Sequence, residues 1–358
     1  MPEPANGRLA RAGRRAMTLA IATAAGALCA ALATPIPWML GPLFAVAFLR
    51  VFGAPLETPV ALRYAGQWII GTSLGLYFTP QVVREVAGIA WMLVLGALFA
   101  LALGYVSGVA LARLAGLDRT TGVFASVPGG AAEMSILGER FGGRIDRIAA
   151  AHSLRILIVV GIVPAAITAL GAHGDDLYVP GATAFDPSGF ALLMAATLAG
   201  GFVLQRLRVP NAFVLGSLAV SIPLTAATID LSSLPMPVSA LGQLLLGCAL
   251  GARFEPDFLL GARRFVSAVV ATVLLSIVLA ALFGGGLAWL SGQHPATLVL
   301  GNAPGGIAEM CITAKVLQLG VPIVTAFHVT RLVALLLLTP LLFPHVRGWV
   351  RSRREKQP

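Results

Sequence analysis

Hydrophobic positions in this chain run on rather than alternate. Residues 17–33, 87–112, 148–172, 189–204, 266–290 and 322–343 form apolar stretches that approach or exceed the ~20 residues a helix needs to cross a bilayer core. Polar residues collect in the short segments between them. Backbone in lipid must satisfy its hydrogen bonds internally, so the pattern predicts an all-α integral membrane protein. Composition agrees. Of 358 residues 58% are hydrophobic and 11% charged, with a mean hydropathy of +0.88, whereas a soluble domain carries about 25% charged residues.

The pattern also repeats. "PGGAAEM" at 128–134 returns as "PGGIAEM" at 304–310, an offset of 176 (304 minus 128). The same offset aligns "GQWIIGTSLGLYFTP" at 66–80 with "GQLLLGCALGARFEP" at 242–256. It also places His152 on His328, Arg155 on Arg331 and Pro164 on Pro340. Upstream the match loosens to "PWMLGPL" at 37–43 against "PNAFVLGSL" at 210–218, where Pro35, Pro37, Pro42 and Pro210 are expected to mark a turn between paired spans. The chain is therefore divided into a basic tail (1–16), a first membrane repeat (17–171), a polar linker (172–187), a second repeat (188–346) and a second basic tail (347–358). The first segment, "RRAMTLAIATAAGALCAALAT", also resembles a signal peptide. Against that stands its uncleavable counterpart at 189–204.

Charge decides the topology. With five spans per half, and a Pro-Gly-Gly segment that enters and leaves on one face, 21 of the 25 lysines and arginines fall inside; Arg84 and Lys315 lie outside, and Arg155 and Arg331 within spans. The linker, with Asp175 and Asp176, falls outside. Twelve spans would break this positive-inside pattern. The expectation is about ten transmembrane helices in two inverted repeats, each with a re-entrant or broken Pro-Gly-Gly helix, and with both termini cytoplasmic. Inverted repeats with broken helices at their interface are an architecture of secondary transporters.

Candidate chemistry lies where the pattern is interrupted. Pro128, Gly129 and Gly130, and their copies Pro304, Gly305 and Gly306, break a helix because proline lacks the amide proton and glycine tolerates backbone angles other residues avoid. Backbone freed at membrane depth must line a wet cavity or be buried in protein. Glu133 and Glu309 either cap the helix starts that follow or exchange protons. His152 and Arg155 share one helix face, as do His328 and Arg331, and ionisable groups within spans are functional candidates by default. The arginines either reach back to the interface, pair with the glutamate of the same half, or attract an anion; histidine, like glutamate, can take a proton. Asn302, which replaces Ser126, and Gln67 and Gln243 are secondary candidates. The glycines around the glutamines, Gly66, Gly71, Gly242 and Gly247 among them, suit close helix packing.

The paired Pro-Gly-Gly-x-Ala-Glu-Met motifs, the duplication and the length together resemble the AbrB family of bacterial membrane proteins, whose defining feature is a duplicated membrane unit. The resemblance implies a bacterial inner-membrane location and brings conflicting labels: regulation of gene expression, ammonia monooxygenase, and transport. "GQWIIGTSLGLYFTP" is also loosely similar to a span of cation and proton antiporters. The five histidines, 152, 173, 294, 328 and 345, form no ligand cluster, which argues against a copper or iron oxygenase. Cys29, Cys248 and Cys311 show no metal or disulfide spacing. The net charge of +10 is concentrated in short tails that supply no recognition helix. The expected reading is a secondary transporter or permease for a small, preferentially anionic metabolite, with no enzymatic activity, no cofactor and no metal. A membrane-embedded sensor that affects gene expression indirectly is the competing reading. The expected partners are the lipid bilayer and a small-molecule substrate, with no direct nucleic acid; a homo-oligomer is compatible with the sequence.

Overall fold

A computed structural model describes residues 5–172, 174, 178–254 and 263–354. The aspartate pair of the linker, His173, much of the loop 253–264 and the last four residues of the carboxyl tail lie outside the described residues. Every element within them is helical. In order these are α1 (Ala5–Ala31), α2 (Pro37–Val51), α3 (Val60–Gly75), α4 (Pro80–Gly88), α5 (Ala90–Ala115), α6 (Arg119–Ser126), α7 (Ala131–Arg140) and α8 (Ile145–Ala169). The chain continues with α9 (Pro187–Arg206), α10 (Ala212–Ala226), α11 (Met236–Gly251), α12 (Arg263–Ser291), α13 (Pro295–Asn302), α14 (Ile307–Val316) and α15 (Val321–Arg354). Five of them, α5, α8, α9, α12 and α15 over Val321–Thr339, are long and apolar enough to cross a membrane; α2, α10 and α11 are shorter and apolar. The protein is built to sit in a membrane.

Local chemistry sets the helix ends. Asp118 caps α6 by accepting from the Thr121 N–H at 2.8 Å, Thr79 caps α4, and α5 stops at Gly116 in the left-handed region (φ 69°). The basic tail 1–16 is helical from Ala5 and continuous with α1, since alanine, arginine and leucine favour helix. Pro42, expected in a turn, lies inside α2, and Pro37 opens that helix. The turn itself is carried by left-handed Ile36 (φ 43°) and, before α10, by left-handed Asn211 (φ 50°).

The helices sort into two packed groups that interleave the halves of the sequence. In one, α11 packs on α1 and α2, α3 packs on α9 and α10, and α3 crosses α11. A Cβ at Gly71 would meet the backbone of Val214 at 2.7 Å, and one at Gly247 would meet the Met39 carbonyl at 2.5 Å. These glycines let α3 and α11 approach their partners backbone to backbone. In the other group α5 and α12 lie against each other and support α6, α8, α13 and α15.

The interrupted helices fold back on themselves. The amide of Arg144, just past α7, donates to Thr121 Oγ1 in the first turn of α6 at 2.9 Å, and Phe124 stacks on Phe141. So α6 and α7 form a helical hairpin with Pro128–Gly130 at its tip. In the second half Gly320 lies against Thr297, which closes the hairpin α13–α14 in the same way. Loops gather at two ends. At one end Arg15 pairs with Glu57 at 2.8 Å, Arg50 bonds the Phe254 carbonyl, Arg264 bonds the Leu114 carbonyl, and Arg147 lies over Phe265. At the other end Gly174 bonds the Leu317 carbonyl, Gly181 the Leu76 carbonyl, and Ser233 the Ala184 carbonyl. Basic side chains concentrate at the first.

Candidate functional site

Each hairpin tip is held by one arginine from the long helix that follows it. Arg155 lies ten residues into α8 (155 minus 145), roughly 15 Å along its axis. Its Nη1 donates to Ser126 O at 3.1 Å and Val127 O at 3.2 Å, and Nη2 reaches Gly129 O at 3.5 Å. Arg331 on α15 repeats this: Nη1 donates to Ala303 O at 2.6 Å and Nη2 to Gly305 O. A guanidinium at the carboxyl end of a short helix meets the last free carbonyls and the negative end of the helix dipole. Both side chains turn to the hairpin carbonyls instead of pairing with Glu133 or Glu309; among the described residues no ion pair joins them.

The histidines complete the hold. His152 Nε2 lies 2.9 Å from Phe124 O, and His328 Nε2 lies 2.9 Å from Leu300 O. A carbonyl only accepts, so Nε2 carries the proton in each ring. Arg155 Nη2 then donates to the bare Nδ1 of His152 at 2.9 Å. Both nitrogens of His152 are thereby engaged in positioning Arg155, whereas His328 Nδ1 has no partner.

The motif's composition follows from space rather than from unusual backbone angles. Gly130 (φ −65°) and Gly306 (φ −82°) are extended, and neither Gly129 nor Gly305 has positive φ. What they provide is the missing Cβ. Met134 presses on Gly129, and Met310 on Gly305, where a Cβ would lie under 3 Å away. The carboxylates of Glu133 and Glu309 fold back over Gly130 and Gly306. Each glutamate is the third residue of its helix, the position from which a side chain reaches the amino-terminal N–H groups.

Both tips and both arginines converge on one cavity of about 90 Å³. Its floor is formed by Gly129, Gly130, Gly305 and Gly306 with Arg155 and Arg331. Its wall includes Glu309, which is 7% exposed, and His328, which is fully buried. Toward the basic end it is lined by Arg63, Arg253, Gln67 and Asn211, with Gln67 Nε2 donating to Asn211 Oδ1 at 3.1 Å. A smaller space of about 20 Å³ against α5 and α12 shares Pro128, Arg155 and Arg331 with the first and is lined by Asn302 and Pro304. The Asn302 amide donates to Leu298 O in its own helix. Glu133, His152 and Gln243 are not among the lining residues, although the Glu133 carboxylate lies against Gly130 and acts electrostatically on Arg253.

Three polar lining residues, Arg63, Asn211 and Arg253, are not marked out by the sequence pattern. Arg63 precedes Gln67 by four residues, one turn on the same helix face, and that spacing was the available signal. Arg253 and Asn211 follow and precede helices, where sequence pattern carries no direction.

The family description "Transition state regulatory protein AbrB" matches residues 38–347. The chain belongs to the AbrB family. Among its relatives is the "Putative regulator AbrB" of Escherichia coli (strain K12), 25% identical over 322 residues that cover 89% of this chain and 92% of that protein. The "Uncharacterized protein YhjN" of Bacillus subtilis (strain 168) is 24% identical over 375 residues, covering 94% of this chain and 95% of that protein. In this AbrB-family chain the Pro-Gly-Gly motifs, the histidine–arginine pairs and the cavity all fall within the matched span.

Proposed function

We propose that this AbrB-family chain is a secondary transporter for a small anionic metabolite. In this reading α1, α2, α3, α5 and α8 span the membrane in the first half, and α9, α10, α11, α12 and α15 span it in the second. The hairpins α6–α7 and α13–α14 are re-entrant, the second half is inverted relative to the first, and the basic end with both termini is cytoplasmic in a bacterial inner membrane. The observation that carries the reading is the convergence of both hairpin tips and both buried arginines on one cavity. Irregular backbone at membrane depth is tolerated where it lines a wet space, and binding at the interface of two repeats suits alternating access. No covalent chemistry is assigned to the site, and its partners are lipid and substrate rather than nucleic acid.

Glu309 supplies a proton-coupling group. An ionised carboxylate weakens the hold of the arginines on an entering anion and a neutral one does not, so protonation of Glu309 favours substrate entry. The regulator name carried by the Escherichia coli relative favours a second reading, a sensor that binds the same anion without moving it. Purified protein in sealed proteoliposomes separates the two. Uptake of labelled organic anions driven by an imposed pH gradient supports transport; binding in detergent with no flux sinks it in favour of the sensor.

A further inference from the structure

We infer that the cavity between the hairpin tips is a seat for a short dicarboxylate, one carboxylate at Arg155 and Arg331 and the other at Arg63 and Arg253. This rests on the transporter reading above, whose substrate class it names. Four guanidinium groups line the cavity against one lining carboxylate, Glu309. Among the described residues none of the four arginines has an ion-pair partner. Arg155 and Arg331 are 6% and 5% exposed and feel each other's charge; Arg63 and Arg253, both half-buried, also feel each other, with Glu309 and Glu133 offsetting part of the charge on Arg253. Four like charges against two carboxylates, with the tip pair held away from water, call for a counter-anion. The carbonyl bonds at the tips use Nη1 and Nη2, while the Nε–H groups of Arg63, Arg155 and Arg331 are buried without a partner. A carboxylate bound across the Nε edge of a guanidinium meets such a donor.

Two acid groups, rather than one compact oxyanion, follow from the layout. The arginines lie at two depths, one pair at the tips and the other near the basic end. Between them the wall is aliphatic, with Val214, Leu246, Leu250 and Leu332. A tetrahedral oxyanion would meet one pair and leave that wall without a contact. A chain of a few methylenes with an acid at each end meets both pairs and covers the wall. The Gln67–Asn211 pair retains an amide oxygen and an amide N–H for a substituent such as a hydroxyl.

The test uses the full chain in nanodiscs, with succinate, acetate and inorganic phosphate as probes at fixed ionic strength, read by calorimetric titration and thermal shift. Succinate is expected to bind at least ~10-fold tighter than acetate or phosphate, a difference set by its second ion-pair contact. Arg63→Gln and Arg253→Gln are each expected to bring succinate down to the acetate level. Equal affinities for succinate and acetate, phosphate binding tighter than succinate, or a preference unchanged in both variants would overturn the inference. The wild-type succinate-to-acetate ratio decides the matter alone if a variant does not fold. Succinate bound with this preference but not carried into sealed vesicles would remove the transporter reading and leave the seat. Flux of another solute without any preference for succinate would remove the seat and leave transport.

Discussion

Arg331 holds Ala303: its Nη1 lies 2.6 Å from that residue's main-chain oxygen, and Arg155 holds the corresponding oxygen of Val127 at 3.2 Å. In each half the arginine stands 28 residues after the carbonyl it caps. Hydrogen bonds to a charged group contribute about 1.5–3 kcal/mol each, and a buried carbonyl left unmet adds a further penalty. Arg331→Gln is expected to destabilise the protein by roughly 3 kcal/mol and to lower its Tm in detergent. Arg331→Lys is expected to recover only part of this, because an ammonium is a point donor and cannot serve Ala303 O and Gly305 O as a fork does. A Tm equal to wild type in both variants would show that the tip stands without its arginine.

Glu309 and Gly306 act as one unit, because the carboxylate occupies the space a side chain at 306 would take. Gly306→Ala should fold, its φ being ordinary, yet push the carboxylate off the helix start. Uptake should then fall at least ~10-fold while Tm changes little, consistent with a small displacement of a catalytic-type group costing far more rate than stability. Glu309→Gln keeps the shape and fixes the charge at zero, so anion binding is expected to persist while pH-driven uptake is lost. Uptake that still follows the pH gradient in Glu309→Gln would place proton coupling elsewhere.

Much of this architecture was legible from sequence because lipid leaves few options. Apolar runs longer than a bilayer core predict helices, and helices α5, α8, α9, α12 and α15 stand close to where the runs placed them. The helix breaks were legible from Pro128 and Pro304, which fall between α6 and α7 and between α13 and α14. What the sequence did not carry was the reason for the glycines. They read as donors of conformational freedom, yet the space taken by Met134 and Glu133 is what excludes a Cβ. Nor could spacing reveal that Arg155 would turn to the carbonyls of its own hairpin rather than to Glu133, since both lie within reach of a long side chain. Arg253 carries no sequence signal beyond its charge; its place on the cavity depends on the packing of α3 against α11, which is a tertiary fact.

Outside the membrane region, Asp186 ties the linker to α9. Its carboxylate accepts from Ser188 Oγ at 2.6 Å and from the Gly189 N–H, and these bonds, the Ser188 hydroxyl foremost, hold its pKa below the ordinary 3.8. A carboxyl group depressed on folding contributes stability that is complete above its unfolded pKa and is lost as pH falls through the lower, folded value. Asp186→Ala is therefore expected to lower Tm at pH 7, with the gap to wild type closing in the acid range below 3.8. A gap of constant size across that range would mean that the cap acts without its charge.

The cavity's one-sidedness predicts a second conformation. Gln67, Leu246, Leu250 and Arg253 line the cavity; displaced by the repeat offset of 176, these positions become Gln243, Ile70, Leu74 and Tyr77, none of which lines it. The first three positions are buried in both sets, and the sides differ at the fourth, where Arg253 is half-buried and Tyr77 is 9% exposed. Lys315 closes the second set, donating to Ser73 Oγ at 2.7 Å with its ammonium 5.7 Å from the Tyr77 ring centre. If the halves exchange conformations, as inverted repeats permit, the path on the linker side opens along these residues while the Arg63 and Arg253 side closes. A single cysteine at Leu74, in a background with the native cysteines replaced, should react with a membrane-impermeant thiol reagent added on the linker side. The rate is expected to rise several-fold in Lys315→Met, which removes the closing contact, because the accessible state is then more populated. Labelling that stays at the buried level in Lys315→Met and under an imposed substrate gradient would mean that this path does not open, and alternating access would have to be abandoned for this chain.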